Sequence, residues 1–200
     1  MIVIDFCQQI SYFIDMKKRC NWIEKEKSET YIKYHDDEWG VPSYDDDYLF
    51  EMLVLESFHC GLSWLIILNK REYFRDAFDN FDFNIIKDYN QNKIDKLLEN
   101  KNIVRNRLKI EATIANAKAF IKVKEEYGSF NKYIWRFTNN EVQFKDDDVF
   151  EDRNKISDRV SKDMKKRGFK FMGTVTTYSY LQAIGIFNHH SKSCFKHINS

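Results

Sequence analysis

The chain has 200 residues, of which 43% are hydrophobic and 32% charged, with a formal net charge of +1. That length buries a sizeable core and fits one large or two small domains. Six Gly and one Pro are too few for a turn-rich β fold, and four Cys without dense spacing do not make a disulfide framework, so a reducing compartment is expected.

Residues 1–18 read as an N-terminal extension. Met1 to Ile14 is apolar in part but interrupted by Asp5, Gln8 and Gln9. It lacks a basic n-region and a small-residue cleavage site, and is too short and polar to span a bilayer. A short amphipathic helix is one reading of it; an upstream start choice before Met16-Lys17-Lys18-Arg19 is the other.

Helices follow. Asp45 to Asp47 place negative charge at the start of a helix over Tyr48–Cys60, with Leu49, Met52, Leu53 and Glu56 on one side. Gly61 interrupts it, and Ser63 can cap a second helix from Trp64. Asp82 can cap a short helix, and Gln91–Glu99 forms another. From Val104 to Tyr127, Ile110, Ile114, Ala117 and Ile121 recur at helical spacing. Gly128 stops that helix, and Ser129 can cap Phe130–Phe137. Thr138 to Ile156 is polar, acidic and loop-like. Ser157 can cap Asp158–Arg167, with Gly168 past its end, and a last helix runs from Thr174 to Gly185. No alternating run supports a strand, so the expected class is all-α.

Two features carry chemistry. Cys20 and His35 near the start, with His190 and Cys194 near the end, make up a complete tetrahedral set for Zn²⁺. One helical turn would put His190 and Cys194 on one face. Four unrelated polar residues are the alternative. The second feature is the stretch from Lys165 to Thr174, where Gly168 and Gly173 bracket a tight apolar turn between two helices flanked by Lys. Backbone N–H groups at such a turn can bind DNA phosphate without reading sequence; a plain αα-hairpin is the alternative. No Asp or Glu follows Asp163, whereas Lys165, Lys166, Arg167, Lys170, Lys192 and Lys196 do, a cationic end suited to a polyanion or simply to solvent.

Read together, Arg19-Cys20-Asn21-Trp22, Tyr34-His35-Asp36-Asp37-Glu38-Trp39-Gly40-Val41-Pro42, Leu55-Glu56 with Gly61-Leu62-Ser63-Trp64, and Lys165 to Thr174 closely resemble the bacterial 3-methyladenine DNA glycosylase I family, in order from about Arg19 to Cys194. The resemblance implies an all-α fold of the helix-hairpin-helix glycosylase superfamily, one domain over residues 19–200, and a structural zinc on Cys20, His35, His190 and Cys194 joining the N- and C-terminal segments. It implies a monofunctional DNA repair enzyme that flips out and hydrolyses 3-methyladenine from double-stranded DNA, without lyase activity. A non-catalytic reader of alkylated bases is the alternative use of the fold. A zinc hydrolase is disfavoured because the four protein ligands fill the metal.

By the same resemblance, Glu56 is the catalytic carboxylate of the pocket, Trp64 its stacking platform and Tyr34 a polar partner of the base, with Trp22 and Tyr31 as further wall. Gly61 and Leu62 resemble the wedge that fills the gap left by a flipped nucleotide. Lys165, Lys166, Gly168, Lys170 and Gly173 are assigned to DNA, while Glu38 and Trp39 are assigned to structure. The chain departs from the family pattern at Ser57, Phe58 and His59, where Gly and Gln are familiar. His59 and Cys60 do not form a catalytic pair, because neighbours on a helix point about 100° apart. A monomer in the cytoplasm, without a membrane partner, is expected.

Overall fold

A computed structural model describes residues 17–144 and 151–197. The helix considered for residues 1–18 lies, apart from Lys17 and Lys18, outside the described residues. In chain order the helices are α1 (Asn21–Glu24), α2 (Glu29–Asp37), α3 (Asp46–His59), α4 (Trp64–Asn69), α5 (Arg71–Ala77), α6 (Phe83–Ile86), α7 (Gln91–Glu99), α8 (Arg107–Tyr127), α9 (Phe130–Trp135), α10 (Lys155–Lys166) and α11 (Thr174–Ala183). Two-residue strands β1 (Gln143–Phe144) and β2 (Phe187–Asn188) pair in parallel, with Gln143 opposite Phe187. The protein is therefore mostly helical rather than wholly so. Two residues per strand leave no periodicity to read, so sequence alone does not disclose the pair.

Helix α3 is the centre. Leu49, Phe50 and the run from Met52 to Phe58 are all buried, so the helix is covered on every side instead of only on the expected face. A helix apolar all round belongs inside a core. α3 packs against α4, α8, α9 and α11, and the Tyr180 hydroxyl of α11 donates to the Leu49 carbonyl at 3.0 Å. The Asp46 carboxylate caps α9 in turn, accepting from the amides of Phe130 (3.1 Å) and Asn131 (2.8 Å).

Local signals set most of the ends. Asp45 caps α3 through the Asp47 amide, Asp82 caps α6 and Ser129 caps α9. Three expectations need correction. Ser63 occupies the cap position of α4 without a side-chain bond. α8 begins at Arg107, where the Asn106 side chain accepts from the Lys109 amide. α10 begins at Lys155: Asn154 caps it and Ser157, three residues in, bonds back to the Asn154 amide in a capping box. An Asn three residues before a Ser competes with the Ser for the same role, and the earlier residue takes it.

α10 and α11 form the expected hairpin, with Phe169 and Met172 buried beneath its turn. The turn is clamped from below by Asn116 of α8, which accepts from the Lys170 amide (2.7 Å) and donates to the Lys170 carbonyl (3.2 Å). The Ser161 hydroxyl donates to the Met172 carbonyl at 2.8 Å. Past α11 the chain turns at Gly185, where the strap Gly40-Val41-Pro42-Ser43 crosses it. The Gly40 amide donates to the Gln182 carbonyl and the Ser43 amide to that of Ile184. A Cβ on Gly185 would lie 2.2 Å from the Val41 backbone, at φ +74°. Gly128 also has positive φ (+85°) but meets only the end of the Lys132 side chain. Gly185→Ala should therefore cost about 3 kcal/mol or more, against about 1–2 kcal/mol for Gly128→Ala. Denaturant midpoints of the two variants check this difference.

Candidate functional site

Cys20, His35, His190 and Cys194 meet in one buried cluster whose ligand atoms all lie within 4.8 Å of one another. Cys20 is the cap residue of α1 and His35 sits in the last turn of α2. His190 and Cys194 come from turns after β2 rather than from one helical face, the Cys194 amide donating to the Ser191 carbonyl at 2.8 Å. The Sγ of Cys194 is 3.5 Å from His190 Nδ1 and 3.6 Å from His35 Nε2, and Cys20 Sγ is 3.5 Å from His190 Nδ1.

The surroundings fix which ring atoms face inward. His35 Nδ1 donates to Asp36 at 2.8 Å, and Asp36 accepts a two-pronged contact from Arg19 at 3.0 and 2.8 Å. His190 Nε2 donates to the Trp39 carbonyl at 3.0 Å, which can only accept. The remaining nitrogens, His35 Nε2 and His190 Nδ1, therefore present lone pairs to the centre, the outer arrangement found around metal-ligating imidazoles. Backbone amides of Ser191 and Lys196 point at the sulfurs of Cys20 and Cys194 at 3.3 and 3.5 Å. Without a metal, burial pushes the Cys20 thiol up to about 12, and burial pulls His190 down to about 4. Two sulfurs and two imidazole lone pairs turned to one buried centre fit a site built for a cation.

A second cluster lies beside it. Tyr34 of α2 and Trp64 of α4 are buried with ring centroids 5.4 Å apart, because α2 packs on α4. Glu56 of α3 is only 3% exposed. Its Oε2 accepts from His59 Nδ1 at 3.1 Å, and the His59 ring meets Trp64 edge-on at 5.3 Å. Burial raises the Glu56 carboxyl above its ordinary range, with His59 opposing. The Tyr34 phenol is raised well above its usual value, first by burial and next by the charge of Glu56; Tyr31 is raised by burial and by Glu26 and Glu56. Trp64 Nε1 is buried without an acceptor among the described residues. Such an orphan donor costs about 1–3 kcal/mol, a cost a bound molecule or water can relieve. Trp22 is 40% exposed and packs on Tyr31 (5.2 Å), His35 (5.3 Å) and Trp39 (5.1 Å). It thus packs against the Cys/His cluster through His35 and reaches toward the second cluster only by way of Tyr31.

Gly61 and Leu62 are exposed at the tip between α3 and α4, Gly61 at φ +79°. Lys165, Lys166, Gly168 and Lys170 are exposed on the hairpin, and none of the three lysines has an ion pair among the described residues; Arg167, by contrast, is committed to Asp163 and Glu126. Gly173 caps α11 and offers no side chain to the first amides of that helix. The amide of Lys170 is taken by Asn116 and is not one of them. Glu38 accepts from Arg71 (2.7 Å) and from the Tyr48 hydroxyl (3.2 Å), a structural role as expected. The Cys60 Sγ lies 3.1 Å from Thr176 Oγ1 and 3.8 Å from the Glu56 carbonyl, and it makes no bond to the His59 ring.

Sequence reasoning missed His59 as a partner of Glu56, and it missed Lys109. Lys109 is buried, with Nζ donating to the carbonyls of Phe58 (2.8 Å) and Cys60 (2.7 Å). It thereby satisfies the C-terminal end of the helix that carries Glu56, and burial lowers its pKa. A signal was present: Lys109, Thr113 and Asn116 recur at i, i+4 and i+7, a polar stripe on the buried side of α8.

A buried carboxylate beside aromatic rings, a lysine-bearing helical hairpin and a buried Cys₂His₂ cluster thus stand together on one helical scaffold. The sequence model of the methyladenine glycosylase family matches residues 22–197, and the chain belongs to that family. It is 38% identical over 180 residues to DNA-3-methyladenine glycosylase 1 of Escherichia coli K12, covering 88% of this chain and 95% of that protein. A crystal structure of 3-methyladenine DNA glycosylase I superposes with a TM-score of 0.86 at 40% identity, covering 90% of this chain and all of the other. The enzyme from Staphylococcus aureus, solved to explain recognition of 3-methyladenine, superposes at 0.84 with 37% identity over 88% of this chain and 95% of its own.

Metal analysis of the purified protein should find one divalent ion per chain. Chelation, or Cys194→Ser, should lower Tm, since ligation across such distant segments stabilises the fold. Because thiols must lose protons to bind, metal affinity should rise with pH over the neutral range; pH-independent affinity would count against ligation by the two cysteines.

Proposed function

We propose that this chain is a monofunctional DNA repair glycosylase that flips 3-methyladenine out of double-stranded DNA and hydrolyses its glycosidic bond. The observation that carries the reading is the buried Glu56 carboxylate, enclosed with Tyr34 and Trp64 and bonded by the protein through Oε2 alone among the described residues. Family membership and relatives named as glycosylases favour excision over a non-catalytic reader.

The chemistry follows from the lesion. Methylation at N3 makes the adenine ring cationic, so it leaves as neutral 3-methyladenine when the electrons of the C1′–N9 bond pass to the base. Water then adds at C1′ and releases a proton. With the leaving group already activated, the protein has chiefly to select and extract the base. Glu56 accepts a charge-assisted bond from the N6 amino group, Trp64 stacks on the ring, Tyr34 meets its polar edge, and Tyr31 and Trp22 extend the wall. Leu62, on the turn made by Gly61, fills the gap in the duplex. Lys165, Lys166, Lys170 and the turn from Gly168 to Gly173 hold phosphates in the helix-hairpin-helix manner. Hydrolysis without lyase chemistry fits the commitment of Lys109, the buried lysine among the described residues, to two carbonyls. Cys20, His35, His190 and Cys194 would hold Zn²⁺, the metal such an S₂N₂ set suits, which would fasten the N- and C-terminal segments together and serve the fold. One glycosylase domain over residues 19–200, acting as a cytoplasmic monomer, completes the reading; no helix among the described residues is long and apolar enough to cross a membrane.

Release of free base from methylated DNA, followed by chromatography, tests it. Glu56→Gln keeps the shape but removes the charge, a loss of ~1.5–3 kcal/mol, so kcat/KM should fall roughly ten- to hundredfold. Trp64→Ala should lose a comparable amount through stacking, ~1–3 kcal/mol. No variant should release undamaged adenine. Normal excision by folded, metal-loaded Glu56→Gln would refute the pocket assignment.

Affinity for undamaged duplex should fall steeply with salt. Lys170→Glu should weaken it for all sequences and reduce the salt slope by about 1 or more, leaving the affinity for free 3-methyladenine unchanged.

A further inference from the structure

We propose that His59 is a positioning residue of the base pocket: its Nδ1–H holds Oε2 of Glu56, so that Oε1 alone is presented to the base. The inference rests on the glycosylase reading above and deepens it. With Glu56 ionised, the carboxylate can only accept, which places the proton of the 3.1 Å contact on His59 Nδ1. No other donor among the described residues reaches the Glu56 carboxylate, which is 3% exposed. The two residues lie three apart on α3 and so share a face. The His59 ring also packs edge-on against Trp64, with ring centroids 5.3 Å apart. His59 is thus oriented by the stacking platform and in turn orients the carboxylate. It occupies one of the positions at which this chain departs from the family pattern.

The consequence is chemical. A carboxylate stripped of water and without a donor takes up a proton, and a protonated Glu56 no longer attracts a cationic base. Burial already raises the Glu56 carboxyl, and His59 is what opposes that rise. Removing the donor therefore moves the acid limb of the pH–rate profile to higher pH. The titratable groups facing Glu56 are His59 on its own helix and the phenols of Tyr31 and Tyr34 from α2. Both phenols are raised above their ordinary values, so neither ionises between pH 5 and 8.5.

The test compares wild type with two variants in single-turnover release of 3-methyladenine from methylated DNA across that range. His59→Phe keeps a ring against Trp64 but donates nothing; His59→Gln loses the ring but can donate to Oε2. His59→Phe should shift the acid limb up by about one pH unit. Its rate should fall by up to about tenfold, about 1.4 kcal/mol, on the acid side of that limb and approach wild type toward pH 8.5. His59→Gln should keep the wild-type limb. Should His59→Phe fail to fold, as judged by Tm and metal content, His59→Ala takes its place. An unshifted limb in the donor-less variant, a loss of equal factor at every pH, or a His59→Gln as impaired as His59→Phe would each overturn the proposal. Absence of base release by wild type would instead overturn the glycosylase reading itself.

Discussion

The rest of the structure is arranged around one constraint, the burial of a carboxylate on a helix that is itself buried on all sides. Glu56 sits within the run from Met52 to Phe58, where every residue is covered. An acid there raises its own pKa by desolvation and needs a donor close by, which is His59. The helix that carries it also needs its last carbonyls satisfied, and Lys109 supplies a second buried charge to do so from α8. Two ionisable groups are thus held in the core by hydrogen bonds that a purely apolar interior would not require. Buried charges are expensive unless bonded in this way.

The Cys/His cluster and the pocket are mechanically one unit. His35 is next to Tyr34 on α2, so the cluster that anchors α2 also sets where the Tyr34 ring meets Trp64. Trp39 links the other end: its carbonyl orients His190, its ring packs on His190 at 4.6 Å and on Trp22 at 5.1 Å, and the strap that follows it lies against Gly185. The Tyr-His-Asp-Asp-Glu-Trp-Gly string therefore carries the ring that meets Trp64, a member of the Cys/His cluster, the acid that orients it, a salt-bridge partner and the start of the strap. The hairpin is tied to the same core by Asn116, and Cys60 reaches across to Thr176 at the start of α11. The proposed DNA-contacting turn and the proposed base pocket share this scaffold.

Sequence alone determined the helical class, several helix ends and the four residues of the cluster, and it singled out Glu56, Tyr34 and Trp64, which the fold brings near one another. These are legible because capping and helical spacing are local, and because the motif strings are dense enough to identify. The tertiary structure alone decided what lies between distant segments. The burial of α3 on all sides, the bond from His59 to Glu56, the anchoring of two carbonyls by Lys109 and the capture of the Lys170 amide by Asn116 depend on which faces meet. So do the turn that brings His190 to Cys194 without a helix and the two-residue pairing of β1 with β2. No propensity or spacing encodes such meetings, since each partner on its own is compatible with solvent. The side chains become a site only when packing removes the water between them.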